Sequence, residues 1–197
     1  ADGKLFIAGK EAAFSSTSDA VQKGVAYLPR NRKENAIVKD MTILENASLA
    51  SLAKYRKLCF IDRKREKRDF ENHARNLHIK MESGDDLITN LSGGNQQKVV
   101  LSKWLNTEPK VLVLDNPTQG VDVGAKEEIY EIIEKLAASG VAVIVLSSEA
   151  QEIVRVCDRA IVMFHGSVVG EVSGADMNEH MIMRLATGEK IERGASV

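Results

Sequence analysis

The sequence contains little cysteine and almost no net charge, and both deficits limit what the protein can be. Its two cysteines, Cys59 and Cys157, are far apart and match no metal-binding or redox spacing. We therefore expect reduced, packed thiols, as in a cytosolic protein. The formal net charge of −1 argues against a strong overall preference for nucleic acid or for a membrane surface.

Long apolar runs are also absent. No stretch approaches the roughly 18 apolar residues that a membrane-spanning helix requires, and no secretory signal is recognisable. The 197 residues are enough for one domain with a proper hydrophobic core. Because the sequence starts with Ala1 rather than methionine, it is compatible with a piece of a longer protein.

The most informative stretch covers residues 91–140, and it begins with a glycine-rich helix start. Ser92 suits the N-cap position, and Gly93 and Gly94 leave the backbone open behind it. The free N–H groups and the dipole of such a helix end can hold an anion. An ordinary capped helix after a glycine turn explains the same three residues, so this motif alone does not decide the function.

The second element is an apolar strand that ends in an acidic residue. Residues 111–114 are continuously apolar, which predicts a strand covered on both faces within a parallel sheet. Asp115 follows at the carboxyl end, where open α/β sheets bind ligands and where P-loop enzymes hold Mg²⁺. An acidic residue that starts a turn is the simpler explanation, but it leaves the neighbouring glycine motif unexplained.

Taken together, the two elements resemble a known family. LSGGNQQK (residues 91–98) resembles the signature motif of ABC-type nucleotide-binding domains, and VLVLDNPTQGVD (111–122) resembles their Walker B strand and D-loop. With GVDVGAK and VLSSE, the pattern is similar to the second ATPase half of bacterial importers for ribose, galactose, xylose and related sugars. The resemblance covers residues 4–188.

This resemblance implies an α/β, P-loop NTPase-like fold with a mainly parallel sheet between helices, antiparallel edge strands and a helical subdomain. Residues 1–197 correspond to a partial nucleotide-binding domain. Within it, about 42–90 form the helical subdomain that faces a membrane partner, 1–41 and 91–188 form the sheet core, and 189–197 form a frayed tail.

Local patterns predict the remaining elements. Strands are expected at 4–8, 25–28, 141–147, 159–164 and 167–172, and helices at 18–23, 42–52, 62–78, 124–138 and from 148 onward. Ser148 begins a sequence that matches a capping box, the strand at 141–147 is expected to be buried, and the loop at 30–39 is expected to be irregular.

The charged helix at 62–78 has two explanations. Its basic cluster is compatible with a nucleic-acid patch, or with a solvated helix face carrying i,i+4 ion pairs. The interleaved Glu66, Asp69 and Glu71 and the lack of aromatic residues for base stacking favour the solvated face.

One motif that the family requires is missing from these residues. ATP hydrolysis by a P-loop fold needs a phosphate cradle, GxxxxGK[ST], between a strand and a helix, and the 197 residues contain none. Residues 3–10 come close, but with one residue too many and Glu11 in place of Ser or Thr. By resemblance, the chain looks like a domain without its first strand, P-loop and first helix. That strand would lie between those at 141–147 and 159–164.

Three positions depart from the working family pattern. Asn116 replaces the Glu that polarises the attacking water, and an amide takes no proton at neutral pH. Ser148 occupies the switch-histidine position, where its capping role is a sufficient explanation. Arg30 occupies the Q-loop position, usually Gln or Glu, and cannot accept a hydrogen bond from metal-bound water. We therefore expect no intact catalytic site, and no ATP hydrolysis by this chain alone.

The retained motifs suggest a shared site instead. In the family, two domains sandwich ATP head-to-tail, and the signature of one completes the site built on the P-loop of the other. The signature residues that would serve a partner's site are Leu91, Ser92, Gly93, Gly94, Asn95 and Gln96. Asp122 of the D-loop would reach across the interface, and Asp115 would contact Mg²⁺ if ATP is bound.

The leading interpretation is therefore the second half of the ATP-binding subunit of a carbohydrate importer, in which ATP binding and hydrolysis drive sugar uptake. The implied cofactors are ATP and Mg²⁺. The implied partners are a second nucleotide-binding domain, a transmembrane permease and, indirectly, a periplasmic sugar-binding protein. The expected location is the cytoplasmic face of the inner membrane, as a peripheral protein.

Two alternatives stay open. The chain could be a truncated, catalytically inactive relic with an interaction or regulatory role, and co-purification with a permease would argue against that. It could also be a soluble, non-transport relative that works on nucleic acid or ribosomes. The near-neutral charge and the lack of a basic stripe argue against the latter, so we expect no nucleic-acid partner.

Overall fold

Strands and helices alternate along the chain, as the patterns predict, in a computed structural model that describes residues 3–189. The strands within this range are β1 (Leu5–Ile7), β2 (Lys10–Ala12), β3 (Val25–Leu28), β4 (Arg56–Lys57), β5 (Phe60–Ile61), β6 (Val111–Asp115), β7 (Ala142–Leu146), β8 (Arg159–Phe164) and β9 (Ser167–Ser173). The helices are α1 (Thr17–Gln22), α2 (Arg32–Asn35), α3 (Ile43–Ser48), α4 (Arg63–Asn76), α5 (Gly93–Leu105), α6 (Val123–Ala138), α7 (Ala150–Val156) and α8 (Glu179–Ala186). The predicted tail lies largely outside the described residues.

A three-stranded parallel sheet forms the centre of the fold, in the order β3-β6-β7. Tyr27 pairs with Val113, which in turn pairs with Ile144, so the three strands end at the same edge. Parallel strands need crossover connections, and the helices between them provide these. The predicted strands at 25–28, 111–114 and 141–147 are confirmed.

One face of this sheet carries the main core. Leu28, Leu112 and Leu114 are fully buried beneath α5 and α6. The apolar stripe predicted for α6 packs here, with Ile129 and Ile133 among its buried members. Burial of a complete apolar face on both partners is the largest favourable contribution to such a fold.

The opposite face is uncovered, so the prediction that both faces of β6 and β7 are buried is wrong for the described residues. Val113 is only half-buried, and Tyr27, Ile144 and Leu146 are 45%, 48% and 47% exposed. The reason is that α5 and α6 pack on the core face and the hairpins form separate sheets, so the elements within residues 3–189 leave this face open. An apolar face on a parallel sheet is normally covered by helices.

The antiparallel strands do not extend the central sheet, which corrects their predicted role as its edges. Instead β1–β2, β4–β5 and β8–β9 form separate two-stranded sheets, and β7 is hydrogen-bonded to β6 alone among the described strands. The predicted β8–β9 hairpin is confirmed. It turns through His165 and Gly166, both with positive φ, as tight hairpin turns prefer. It packs with α7 and α8 into a second, smaller apolar cluster.

The helical region at 42–90 is only partly as predicted. Helix α4 matches the predicted helix at 62–78, and its apolar residues Phe70, Ala74 and Leu77 are buried. The helix predicted at 42–52 is shorter, because α3 ends at Ser48 and continues as a 3₁₀ turn, Leu49–Tyr55. The loop expected at 30–39 contains the short helix α2.

Lys103 is a buried cation on α5. Its Nζ donates a hydrogen bond to the carbonyl oxygen of Ala36, 2.5 Å away, and the residue is 7% exposed. Burial lowers the pKa of Lys103 to about 8, because the charged ammonium loses hydration. This side chain therefore fastens the loop after α2 to α5 while remaining sensitive to pH.

Helices α5 and α6 approach each other closely at Gly94. A Cβ atom at this glycine would lie 2.6 Å from the Cβ of Ala125, well inside contact distance. Gly94 is buried, so neither helix can accommodate a larger side chain here without moving.

We expect Gly94→Ala to lower the free energy of unfolding by about 1–3 kcal/mol, because overpacking forces the two helices apart. Ala125→Gly removes the opposing methyl group and should cost at most about 1 kcal/mol of helix propensity. The double variant should be more stable than Gly94→Ala alone, as measured by urea unfolding. Strictly additive effects would contradict the close contact.

Lys103 should make stability depend on pH. Between about pH 8 and 10.5 the unfolded chain keeps a proton on this lysine that the folded chain has lost, so the free energy of unfolding should rise with pH by up to about 3 kcal/mol. Lys103→Met should lack this rise in denaturant titrations across that window. Lys135→Met, which removes a largely exposed lysine of α6, should retain it.

Candidate functional site

Asp115 lies at the carboxyl edge of the sheet, as predicted, with both carboxylate oxygens hydrogen-bonded. The Tyr27 hydroxyl donates to Oδ2 and the Asn116 Nδ2 donates to Oδ1, each at 2.9 Å. The hydrogen bond to the Asp115 carboxylate raises the pKa of Tyr27, because it stabilises the protonated phenol. Each carboxylate oxygen has a second lone pair, so Asp115 can still accept a bond from a metal-bound water.

Asn116 connects the ends of β6 and β7. Its backbone N–H donates to the carbonyl oxygen of Leu146 at 2.7 Å, and its φ of +46° is a conformation that asparagine tolerates better than most residues. Its side-chain oxygen accepts bonds from the backbone N–H and the hydroxyl of Ser148, both at 3.4 Å. One amide therefore joins Asp115 to Ser148.

The predicted capping role of Ser148 is wrong. The N-cap of α7 is Glu149, which makes no side-chain cap hydrogen bond. The Ser148 hydroxyl instead donates to Asn116, because β7 and β6 end side by side. The three departures from the working pattern therefore include two residues, Asn116 and Ser148, that contact each other.

Arg30, the third departure, is exposed and lies near the segment after β6. Its Nε donates to the side-chain oxygen of Gln119 at 2.9 Å. A guanidinium has five N–H donors and no acceptor, so Arg30 fits an acceptor partner such as this one.

Arg32 is the functional candidate that sequence reasoning missed. It is 6% exposed, and its two terminal nitrogens donate to the carbonyl oxygens of Gln119 and Gly120 at 2.8 and 3.1 Å. Burial lowers the pKa of this guanidinium. In the sequence, Arg32 lies in the charged stretch 30–39, and nothing in that pattern predicts that its side chain is buried.

The guanidinium also lies directly behind the signature. A Cβ atom at Gly93 would be 2.7 Å from Nη2 of Arg32 and 3.1 Å from the carbonyl oxygen of Gly120. Internal packing therefore disfavours a side chain at this position, because the guanidinium held by both carbonyls would have to move. This constraint is separate from the expected close approach of a phosphate.

The signature helix begins as predicted. Ser92 is exposed and caps α5: its side-chain oxygen accepts hydrogen bonds from the backbone N–H and the Nδ2 of Asn95. The Asn95 side-chain oxygen accepts from the Lys80 backbone N–H at 2.8 Å, which ties the helix start to the preceding segment. Gln96 donates back to the carbonyl oxygen of Leu91 at 3.1 Å. Gly93 is half-buried, so this helix end remains accessible from outside.

The start of α6 lies beside the signature. Asp122 is the N-cap of α6, accepting from the Ala125 N–H at 3.0 Å, and the following Val123 is 81% exposed. The Asp122 Oδ2 lies 3.9 Å from the Cβ position at Gly94. The two predicted motifs therefore meet at one surface.

The segment between β6 and α6 is held in place by buried hydrogen bonds. The Gln97 Nε2 donates to the carbonyl oxygen of Pro117 at 2.7 Å, and the Thr118 hydroxyl donates to buried Glu152 at 2.7 Å. These buried bonds fix the path of the D-loop between α5 and α7.

Two negative findings apply to residues 3–189. No group of three or more His, Cys, Asp or Glu side chains could hold a metal ion by itself. Mg²⁺ in phosphate sites is usually bound through one or two carboxylates, with waters and phosphate oxygens completing the shell, which a lone Asp115 suits. No helix in this part of the chain is long and apolar enough to cross a membrane.

The chain resembles known proteins over most of its length. The family model described as ABC transporter matches residues 1–119. The ribose import ATP-binding protein RbsA of Bacillus licheniformis is 47% identical over 186 residues, which is 94% of this chain and 38% of that protein. RbsA of Bacillus subtilis is 44% identical over 186 residues, again 94% of this chain and 38% of that protein. The chain thus spans well under half the length of these relatives.

Solved structures show the same fold. A nucleotide-free ATP-binding cassette from an ABC transporter superimposes with a TM-score of 0.77 and 20% identity, covering 92% of this chain and 74% of that one. A dimeric post-hydrolysis state of the cassette MJ0796 with ADP and Pi has a TM-score of 0.72 and 22% identity, covering 87% and 73%. These identities establish the architecture alone, which is the P-loop fold of ABC ATPases. The family model and the RbsA relatives show that the chain belongs to the ABC transporter family, as an ATP-binding domain related to the ribose import proteins RbsA.

Proposed function

We propose that this chain is part of the ATP-binding subunit of a carbohydrate importer, and that its signature completes an ATP site held by a partner domain. The names of the relatives support sugar import, and ribose is the sugar that several of them share. The corresponding region is the second nucleotide-binding half, organised as a sheet core (1–41 and 91–188) with a helical subdomain (42–90).

The observation that carries this proposal is the shared surface of the two motifs. Ser92 is exposed at the α5 start, and Val123 is exposed one residue after Asp122 at the α6 start. The packing of Gly94 against Ala125 holds these two helix ends together. An outward-facing helix start with an exposed cap residue suits a phosphate that arrives from another polypeptide. Asp122 is positioned to contact that partner.

We also propose that Asn116, at the position of the family's water-polarising Glu, does not support ATP hydrolysis by this chain. Asn116 cannot accept a proton from an attacking water, and its amide is occupied by Asp115 and Ser148. Arg30 is bonded to Gln119, where the family uses a group that accepts a hydrogen bond. If ATP binds on this side, Asp115 is the residue that would contact Mg²⁺, which would neutralise phosphate charge.

We further propose that the phosphate cradle comes from a strand–loop–helix segment outside the 197 residues. Two features support this. The edge of β7 away from β6 makes no ladder with a described strand, and the adjoining face exposes Ile144 and Leu146. An added parallel strand with its crossover helix would satisfy both the backbone edge and the apolar face.

The partners follow from this assignment. They are a second nucleotide-binding domain, a transmembrane permease and, indirectly, a periplasmic sugar-binding protein, with the chain on the cytoplasmic face of the inner membrane. The competing proposal is an inactive relic with an interaction role. The two differ in whether the signature affects ATP turnover by a partner.

The signature can be tested with an isosteric pair of variants at Ser92. In a complex with an ATP-binding domain that carries GxxxxGK[ST], Ser92→Asp should lower ATP turnover at least about tenfold more than Ser92→Asn, because only the aspartate repels phosphate. Both replacements can cap α5, so the fold is unaffected. Turnover is measured by phosphate release, with the chain alone as the control.

We expect the chain alone to release phosphate at the background rate. Equal effects of the two Ser92 variants in the complex would favour the relic. Turnover by the chain alone that is well above background and survives Asp115→Asn would refute the proposed inactivity.

The role of Asn116 can be tested through stability. Asn116→Asp replaces the amide donor with a second carboxylate beside Asp115 and should lower the free energy of unfolding by about 1–3 kcal/mol at about pH 7.5. The loss should shrink toward about pH 5, because the crowded pair takes up a proton more readily when folded than when unfolded.

A charge swap is the matched control. Asp115→Asn combined with Asn116→Asp keeps one amide and one carboxylate, so it should recover most of the loss in urea unfolding. If the single variant is as stable as the parent at both pH values, the Asn116–Asp115 hydrogen bond does not position these side chains.

A further inference from the structure

The hairpin β4–β5 exposes two large apolar side chains at its tip. Lys57 pairs with Phe60, so Leu58 and Cys59 form the turn. Leu58 is 90% exposed and Phe60 is 78% exposed, and Cys59 is also exposed. The exposure of Cys59 corrects the prediction that both thiols are packed. Apolar groups this exposed usually indicate a binding surface when they occur together rather than singly.

Hydrogen bonds fix the base of the β4–β5 hairpin. The Asp62 N–H donates to the carbonyl oxygen of Tyr55 at 2.8 Å, and Tyr55 is 1% exposed. Asp62 also caps α4 through the Arg65 N–H at 3.0 Å. Leu58 has a φ of +56°, a left-handed conformation that is unfavourable for a leucine. The apolar tip is therefore held outward by the structure beneath it.

The hairpin lies in the most basic part of the chain. Residues 54–68 contain eight Lys or Arg and two Asp or Glu, a net charge of +6, whereas the whole chain has −1. The basic residues of this segment are Lys54, Arg56, Lys57, Arg63, Lys64, Arg65, Lys67 and Arg68. The near-zero total charge conceals this local concentration.

Acidic side chains neutralise only part of this charge. Arg63 is close to Glu66, at 2.9 Å, and Lys54 is equally close to Glu108. The Arg65, Lys67 and Arg68 side chains lie 3.8–3.9 Å from Asp69 or Asp85. Among residues 3–189, no carboxylate lies within 4 Å of the charged groups of Arg56, Lys57 or Lys64.

We propose that the β4–β5 hairpin and the start of α4 bind the surface of an anionic lipid bilayer. Leu58 and Phe60 enter the headgroup region, and the surrounding cations bind lipid phosphates. This combination of a few exposed apolar anchors with clustered Lys and Arg is the chemistry that holds peripheral proteins on anionic membranes. The hairpin gives the helical subdomain a lipid contact of its own, and this contact does not require ATP or a permease.

The direct test is a fluorescent probe at the tip. An environment-sensitive nitrobenzoxadiazole label is attached to Cys59 in a Cys157→Ala variant of the whole chain. Burial raises the pKa of Cys157 to about 11, so even the unsubstituted chain should label mainly at Cys59. On vesicles of phosphatidylcholine with about one-third phosphatidylglycerol, the emission should shift to the blue and the protein should co-sediment. Vesicles of phosphatidylcholine alone should give neither result.

Two double variants test the apolar anchors and the basic residues of this surface separately. In unlabelled co-sedimentation, Leu58→Ser with Phe60→Ser should weaken binding at least about tenfold, because both anchors are lost. Arg56→Gln with Lys57→Gln should weaken binding and reduce its dependence on salt. Met163→Ser with Val168→Ser is the matched control, since these residues are 60% and 64% exposed on the other hairpin, β8–β9. It should bind like the parent. Thermal melts confirm that each variant is folded.

Three results would overturn the proposal. The first is no binding to anionic vesicles, or equal binding to both vesicle types. The second is an equal loss of binding in the control pair, which would indicate non-specific adhesion of apolar surface. The third is self-association in sedimentation velocity that Leu58→Ser with Phe60→Ser abolishes while vesicle binding is unchanged, which would assign the tip to a second copy of the chain.

Discussion

A single buried guanidinium links the segments on which the site depends. Arg32, the first residue of α2, donates to two carbonyl oxygens of the D-loop and lies directly behind Gly93 at the start of α5. The two hydrogen bonds offset part of the cost of burying this charge, and the Arg32 Nε has no partner within residues 3–189. The two carbonyls must therefore stay in place around the guanidinium. The relative position of the signature and the D-loop is thereby fixed within the fold.

Around this link, the chain divides its polar groups between two edges. Asp115, Asn116 and Ser148 bond to one another at the end of the sheet, so their hydrogen-bonding capacity is largely used within the chain. Ser92 and Asp122 are exposed beside the far end of the segment that begins at Asn116. The inward-bonded Asn116 and the outward-facing start of α5 are both compatible with the proposal that this chain assists the chemistry of a neighbouring domain.

The sequence predicted the features that are governed by neighbours along the chain. The cap at Ser92, the strands around Tyr27 and Val113 and the apolar stripe of α6 follow from spacing and residue type. The features governed by distant contacts were missed. Arg32 resembles an ordinary loop cation in the sequence, and Ser148 matches a capping box although its true partner is Asn116, directly after β6. The open sheet face was also mispredicted, because continuous apolar residues indicate that a face is suited to burial but not which segment covers it.

The central claim is that the amides at the start of α5 bind a nucleotide held by another polypeptide. Amide hydrogen exchange of residues 91–98 tests it most directly, with and without ATP, for the chain alone and in complex with an ATP-binding domain that carries the phosphate loop. We expect ATP to slow exchange in this segment only in the complex. Slowing by ATP in the isolated chain, or no slowing in an ATP-loaded complex, would contradict it.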